Sequence, residues 1–261
     1  MAAENFYGDI VKQIGGNHVN VVSILSDPNI DPHEYQSNYQ TAQNVSKAQL
    51  VIENGGGYDD WMDKVLASVP ISNRVLIKAF DTAKVHLEDN EHVWYSIDNA
   101  QTIAQAITDN LKTLQPASAA DFDNNLKQFS QGLQPVLQKV SDIKTKYANA
   151  PVALTETIFL YQTAAMNLKV LTPLELEKAV AEGNDPPANA IITAENQIKQ
   201  KQVKVLIYNG QTSTPVTQKL LKDAQALNIP TVTVTETMPQ GKTYQSWMLD
   251  QLTALEKALG Q

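Results

Sequence analysis

A single apolar stripe near the middle of the chain limits the fold more than any other feature. Phe122, Leu126, Phe129, Leu133, Val136, Leu137, Val140, Ile143 and Tyr147 recur at spacings of three and four, the period that gathers side chains on one face of an α-helix. At 1.5 Å per residue, a helix over 119–148 runs roughly 40 Å. Gly132 and Pro135 fall inside it, and a proline there removes a backbone donor and kinks the helix near its centre. Such a helix is too long for a crossover within one sheet and suits a connector spanning two halves of a molecule. A short coiled-coil arm is the other reading of the same stripe.

On either side, short β-branched runs alternate with helical stretches, the pattern of parallel α/β layers. Strands are expected over 19–25, 48–54 and 74–80, then over 152–156, 169–171, 203–209 and 231–235. Helices are expected over 4–14, 39–47, 57–68, 96–114, 195–201, 215–227 and 243–259, with a loop at 183–187. The resulting fold class is α/β, two lobes with parallel sheets flanked by helices. The N-terminal lobe covers 1–116, a long connecting helix 117–149 and the C-terminal lobe 150–261.

The 261 residues are 43% hydrophobic, enough for a substantial core. Net charge is −8 with no Lys/Arg cluster, which speaks against a nucleic-acid partner. The chain has no cysteine, which removes disulfides, thiolate ligands and cysteine nucleophiles together. No run approaches the ~20 apolar residues of a membrane span.

Four polar side chains stand at or beyond the carboxyl ends of expected strands, the edge at which open α/β sheets bind ligands. His33 lies in Asp31-Pro32-His33-Glu34-Tyr35 and His92 in Glu91-His92-Val93-Trp94, both in the first half. Glu156 ends the strand at 152–156, and Glu236 follows the strand at 231–235. If the lobes face each other along those edges, two imidazoles and two carboxylates converge on one metal site between them. Neutral imidazole with carboxylate suits zinc, manganese or iron(II), and two carboxylates cancel the charge of a divalent ion that is to be buried.

Other conspicuous residues have plainer readings. His18 sits at a helix–strand turn. His86 shares the loop of His92 and could reach the mouth of the same cleft. Gly55-Gly56-Gly57 lacks the spacing of a phosphate loop and reads as a tight strand-to-helix turn. Trp61, Trp94 and Trp247 read as packing residues, and Asp59-Asp60 as a solvated first helical turn. No nucleophile elbow or His-Glu-x-x-His helix is present.

The opening Asn5-Phe6-Tyr7-Gly8-Asp9-Ile10 with Ile14-Gly15-Gly16, the segments around His33 and His92, Thr155-Glu156 with Phe159 and Tyr161, and Glu236 with Thr243-Tyr244 occur in one order. In that order they resemble the metal-binding lipoproteins of ATP-binding-cassette importers for zinc and manganese, the adhesin-like solute-binding family, over essentially the whole chain. The resemblance implies a carrier and not an enzyme. Its cargo is Mn2+ or Zn2+, its partner is a membrane permease, and it works as a monomer outside the cytoplasm. It also implies a signal peptide and a lipid-carrying cysteine ahead of the segment that starts at Met1. Its ligands are His33, His92, Glu156 and Glu236; the family's fourth ligand is commonly Asp where Glu236 stands, and the histidine-rich loop of many zinc-specific members is missing. The two-His, two-carboxylate set points to manganese over zinc. A metal-dependent hydrolase using the same four groups and a surface adhesin are the competing readings.

Overall fold

The computed structural model describes residues 1–27 and 35–261. They form two compact units, each with its own four-stranded parallel sheet.

The first unit comprises Met1–His86, Ser96–Gln134 and Thr237–Gln245. In chain order its elements are β1 (Ala2–Glu4), α1 (Asn5–Gly15), β2 (Ser23–Leu25), α2 (Tyr39–Val45), β3 (Leu50–Glu53), α3 (Asp60–Ser68), β4 (Val75–Lys78) and the single turn α4 (Ala79–Thr82). The helices α5 (Ile97–Leu114) and α6 (Ala119–Gly132) follow. The sheet order is β2-β1-β3-β4. β1 is absent from the strands expected from sequence, because Ala-Ala-Glu carries no β-branched residue. It becomes a strand through pairing on both sides, Ala2 with Ser23 and with Ile52, a case of tertiary context overriding propensity. The strand expected over 19–25 is ordered as β only at Ser23–Leu25. The glycine run is the tight turn its sequence suggests: Gly55, Gly56 and Gly57 have φ of +73°, +66° and +95°, values that favour glycine. A Cβ on Gly56 would also stand 2.6 Å from the Phe80 ring.

The second unit comprises Leu87–Tyr95, Pro135–Glu236 and Ser246–Gln261. Its elements are α7 (Gln134–Tyr147), β5 (Pro151–Leu154), α8 (Leu160–Ala165), β6 (Lys169–Val170), α9 (Leu174–Ala181), α10 (Ala188–Lys199), β7 (Val205–Asn209), α11 (Pro215–Ala226), β8 (Thr231–Val234) and α12 (Tyr244–Leu259). The sheet order is β6-β5-β7-β8, and its core packs Leu176, Val180, Ile198, Leu206 and Leu220. The stripe is helical along its whole length but is divided into α6 and α7 at Leu133, between Gly132 and Pro135 as the sequence requires. Phe122, Phe129, Leu133, Val136 and Ile143 are its buried members. α8 and α9 were not expected, since six and eight residues hold too few apolar repeats to show a period. α10 begins seven residues ahead of the expected 195.

Asp59 is not solvated. It is 2% exposed and accepts from the backbone N–H groups of Asn54 and Gly55, each at 2.7 Å; Asp60 alone is exposed. Asp59 shares the carboxyl edge of the first sheet with Glu4 and Glu53, and Lys78 Nζ stands 3.0 Å from Glu53 Oε1 and 2.7 Å from Asp63 Oδ1. Burial, reinforced by Asp59 and Glu53, holds the Glu4 carboxyl well above its ordinary range. Burial lifts Glu53 to about 7 despite Lys78 and Asp59 to about 6 despite its backbone donors.

Unfolded carboxyls titrate near pH ~4. The native protein therefore binds more protons than the unfolded chain as pH rises from there toward about 7, and stability declines across that interval. Glu4→Gln is expected to raise the melting temperature of the metal-free protein at pH 8 and to change it little near pH 4. Thermal melts at both pH values check this; an equal drop at both would contradict the buried-acid account.

Candidate metal centre

β5, β7 and β8 lie side by side, and their registers set what meets at the carboxyl edge of the second sheet. Leu154 pairs with Ile207, and Asn209 pairs with Val234. Two residues beyond Leu154, level with Asn209, comes Glu156; two beyond Val234 comes Glu236. β5 stops at Leu154, short of the strand end expected from sequence, but Glu156 keeps extended backbone (φ −163°, ψ −177°) and opens the short 3-10 turn Thr157–Phe159.

His92 lies in the first half of the sequence but belongs to the second unit. Its segment is held there by several contacts. Leu87 N donates to Tyr161 Oη at 3.1 Å, and Tyr161 Oη donates to the Asn90 carbonyl at 3.0 Å. Gln162 Nε2 donates to the Tyr95 carbonyl at 2.6 Å, and Lys178 pairs with Asp89 at 2.7 Å.

His92, Glu156 and Glu236 each offer one ligating atom, and these atoms all lie within 4.8 Å of one another. All three side chains are buried, at 0%, 1% and 0% exposure. His33 falls in 28–34, outside the described residues. His86 does not join the group: it belongs to the first unit, its Nε2 meets the Ala83 carbonyl at 2.9 Å and its ring packs on Phe80. His18 is at a 3-10 turn, paired with Asp121 at 2.9 Å. The three tryptophans are buried.

Residues the sequence did not single out hold the three side chains. Asn90 donates through Nδ2 to the Thr157 carbonyl at 2.8 Å, which turns Oδ1 toward the backbone N and Nδ1 of His92, at 3.0 and 3.1 Å. An amide oxygen only accepts, so Nδ1 carries the proton and Nε2 the lone pair, the arrangement that orients a metal-binding histidine. On the carboxylate side, Asn209 Nδ2 reaches Glu156 Oε1 at 3.1 Å and Glu236 Oε1 at 2.6 Å. Thr212 Oγ1 donates to Glu236 Oε1 at 3.2 Å. Tyr95 Oη lies at 2.7 Å from the Thr235 carbonyl and 2.9 Å from Gln251 Oε1. Burial, followed by the charges of Glu156 and Glu236, holds its phenol well above the ordinary range. Asn90 had one sequence signal, its place two residues before His92. Asn209 had none, because only the strand order sets β7 between β5 and β8.

A buried imidazole with its lone pair on Nε2 beside two buried carboxylates is a donor set for a divalent transition-metal ion. A family profile described as the periplasmic component A of a zinc-uptake complex matches residues 1–258. The chain belongs to this family. Zinc-uptake component A proteins are binding components of importers, not enzymes. The chain is 23% identical to the metal ABC transporter substrate-binding lipoprotein SsaB of Streptococcus sanguinis over 285 residues, covering 100% of this chain and 89% of that protein. It is 23% identical to the manganese ABC transporter substrate-binding lipoprotein ScaA of Streptococcus gordonii, over 100% and 88% of the two chains. It is also 22% identical to the zinc-binding lipoprotein AdcA of Streptococcus pneumoniae, over 97% of this chain and 54% of AdcA. Among solved structures, the periplasmic zinc binding protein TroA of Treponema pallidum matches with a TM-score of 0.81 at 19% identity, over 99% and 97% of the chains. A manganese-bound mutant of the periplasmic metal binding protein of Candidatus Liberibacter asiaticus matches with a TM-score of 0.82 at 18% identity, over 99% and 98%. At these identities the structures establish the two-lobed α/β fold. No helix among the described residues is long and apolar enough to cross a membrane.

Tyr95→Phe removes the donor to the Thr235 carbonyl and Gln251, and is expected to cost about 1–3 kcal/mol, the cost of stranding a buried acceptor. Denaturant unfolding of the metal-free variant measures it.

Proposed function

We propose that the protein captures one divalent transition-metal ion outside the cytoplasm and delivers it to the membrane permease of an ATP-driven importer. The carrying observation is the convergence of His92, Glu156 and Glu236 in a buried group. Burying two carboxylates together is costly unless their charge is met, and a divalent ion meets it. His33 is assigned as the fourth ligand on its sequence motif. The relatives named as lipoproteins support tethering to the membrane by a lipid anchor; the carrier is proposed to act as a monomer.

Manganese is the proposed cargo and zinc its main rival. Two carboxylate ligands suit manganese, while the Irving–Williams order gives zinc the higher intrinsic affinity at such a donor set. Zinc is therefore expected to bind the purified protein more tightly even where manganese is transported. Relatives are named for each metal, so uptake is the deciding measurement. Manganese accumulation in cells that depend on this carrier is the expected result; uptake driven by zinc and indifferent to manganese reverses the choice.

Titration of the metal-free protein tests the ligand set. His33→Ala, His92→Ala and Glu236→Ala are each expected to lower affinity by more than about a hundred-fold, beyond the range seen for supporting residues, with the circular dichroism spectrum unchanged. Ligation needs neutral imidazole, so affinity is expected to fall as pH drops through about 6.5. Wild-type affinity in both histidine variants would refute the assignment.

A further inference from the structure

We propose that Asn209 is a positioning residue of the metal centre: its neutral side-chain amide bridges Glu156 and Glu236 and holds both carboxylates in ligating position before the ion arrives. This rests on the metal-carrier reading above and adds a determinant of affinity that neither the motifs nor the family match supplies.

The orientation of the amide is settled by its own contacts. Gln211 N donates to Asn209 Oδ1 at 2.9 Å, so Nδ2 faces the carboxylates and cannot be exchanged with the oxygen. Three acceptors stand around it: Glu156 Oε1 at 3.1 Å, Glu236 Oε1 at 2.6 Å and Thr212 Oγ1 at 2.9 Å. An amide has two N–H bonds. Thr212 can give its own proton to Glu236 Oε1 at 3.2 Å, which leaves both amide protons for the two carboxylates. Asn209 is 2% exposed, so water does not take over these contacts.

The chemistry of the bridge matters because of what it lacks. Two carboxylates in one buried site repel, and each has rotamers that swing it away from the other. A lysine or arginine between them would hold them as well, but its charge would compete with the incoming cation. An amide donates to both and adds no charge of its own to compete with the metal. The geometry also requires that the bridge come from β7, the one strand that pairs with both β5 and β8.

The test uses the wild-type chain, Asn209→Ala and Asn209→Asp, each stripped of metal and titrated with Zn2+ and Mn2+. The visible spectrum of each protein loaded with Co2+ reports ligand geometry. Asn209→Asp keeps the shape of the side chain and the acceptor for Gln211 N but has no donor, so a role confined to the local turn leaves it like wild type. Both variants are expected to bind Zn2+ and Mn2+ about ten- to a hundred-fold more weakly, the usual range for supporting residues, with altered Co2+ spectra. If the alanine variant fails to fold, the aspartate variant still decides. A folded Asn209→Asp protein with a wild-type spectrum, or with unchanged or higher affinity, overturns the proposal and leaves the metal-carrier reading standing. Wild-type protein that takes up neither Zn2+ nor Mn2+ sinks that reading and the role of Asn209 with it.

Discussion

Two carboxylates, Glu156 and Glu236, are buried against each other at the carboxyl edge of the second sheet, and the architecture around them follows from having to hold them there. In a low-dielectric interior such a pair repels strongly, and each ion has also lost its hydration. Asn209 and Thr212 supply donors to the carboxylate oxygens, which offsets desolvation without cancelling charge. Under the metal-carrier proposal, the species that completes this buried group is a cation.

The imidazole is delivered by a different device. The segment carrying His92 follows β4 and α4, belongs to the second unit and is tied down by Tyr161, Gln162 and Lys178. Asn90 then fixes the ring by accepting from its Nδ1, so the tautomer is chosen by a neighbour two residues away. Tyr95, three residues beyond His92 on the other side, bonds the carbonyl of Thr235 next to Glu236. One short segment thus places one candidate ligand and braces another.

The first unit holds a second gathering of buried acids. Glu4, Glu53 and Asp59 also gather at a carboxyl edge, and there burial shifts them toward the protonated, neutral form. They do not form a group whose ligating atoms share one small space; among the described residues only His92, Glu156 and Glu236 do. Buried carboxyl groups alone are therefore poor evidence for a metal centre. The geometry of approach and the presence of an imidazole separate the two cases.

Much of this was legible in the chain itself, because the relevant physics is local. The long stripe and its break at Gly132–Pro135, the glycine turn and seven of the eight strands follow from periodicity, backbone freedom and β-branched runs, and the motifs around His92, Glu156 and Glu236 marked residues that the fold brings together. Asp59 departs from its sequence reading because an acidic pair before a helix reads as solvated until its backbone partners are known. β1, Asn90 and Asn209 were invisible for a related reason. β1 is a strand because two neighbours pair with it, and Asn209 bridges two carboxylates because β7 is threaded between β5 and β8. Residue types and spacings determined that a divalent cation could be bound. Strand order and register decided which neutral groups surround the candidate ligands, since those contacts join residues 53 and 27 positions apart in the chain and no local pattern encodes them.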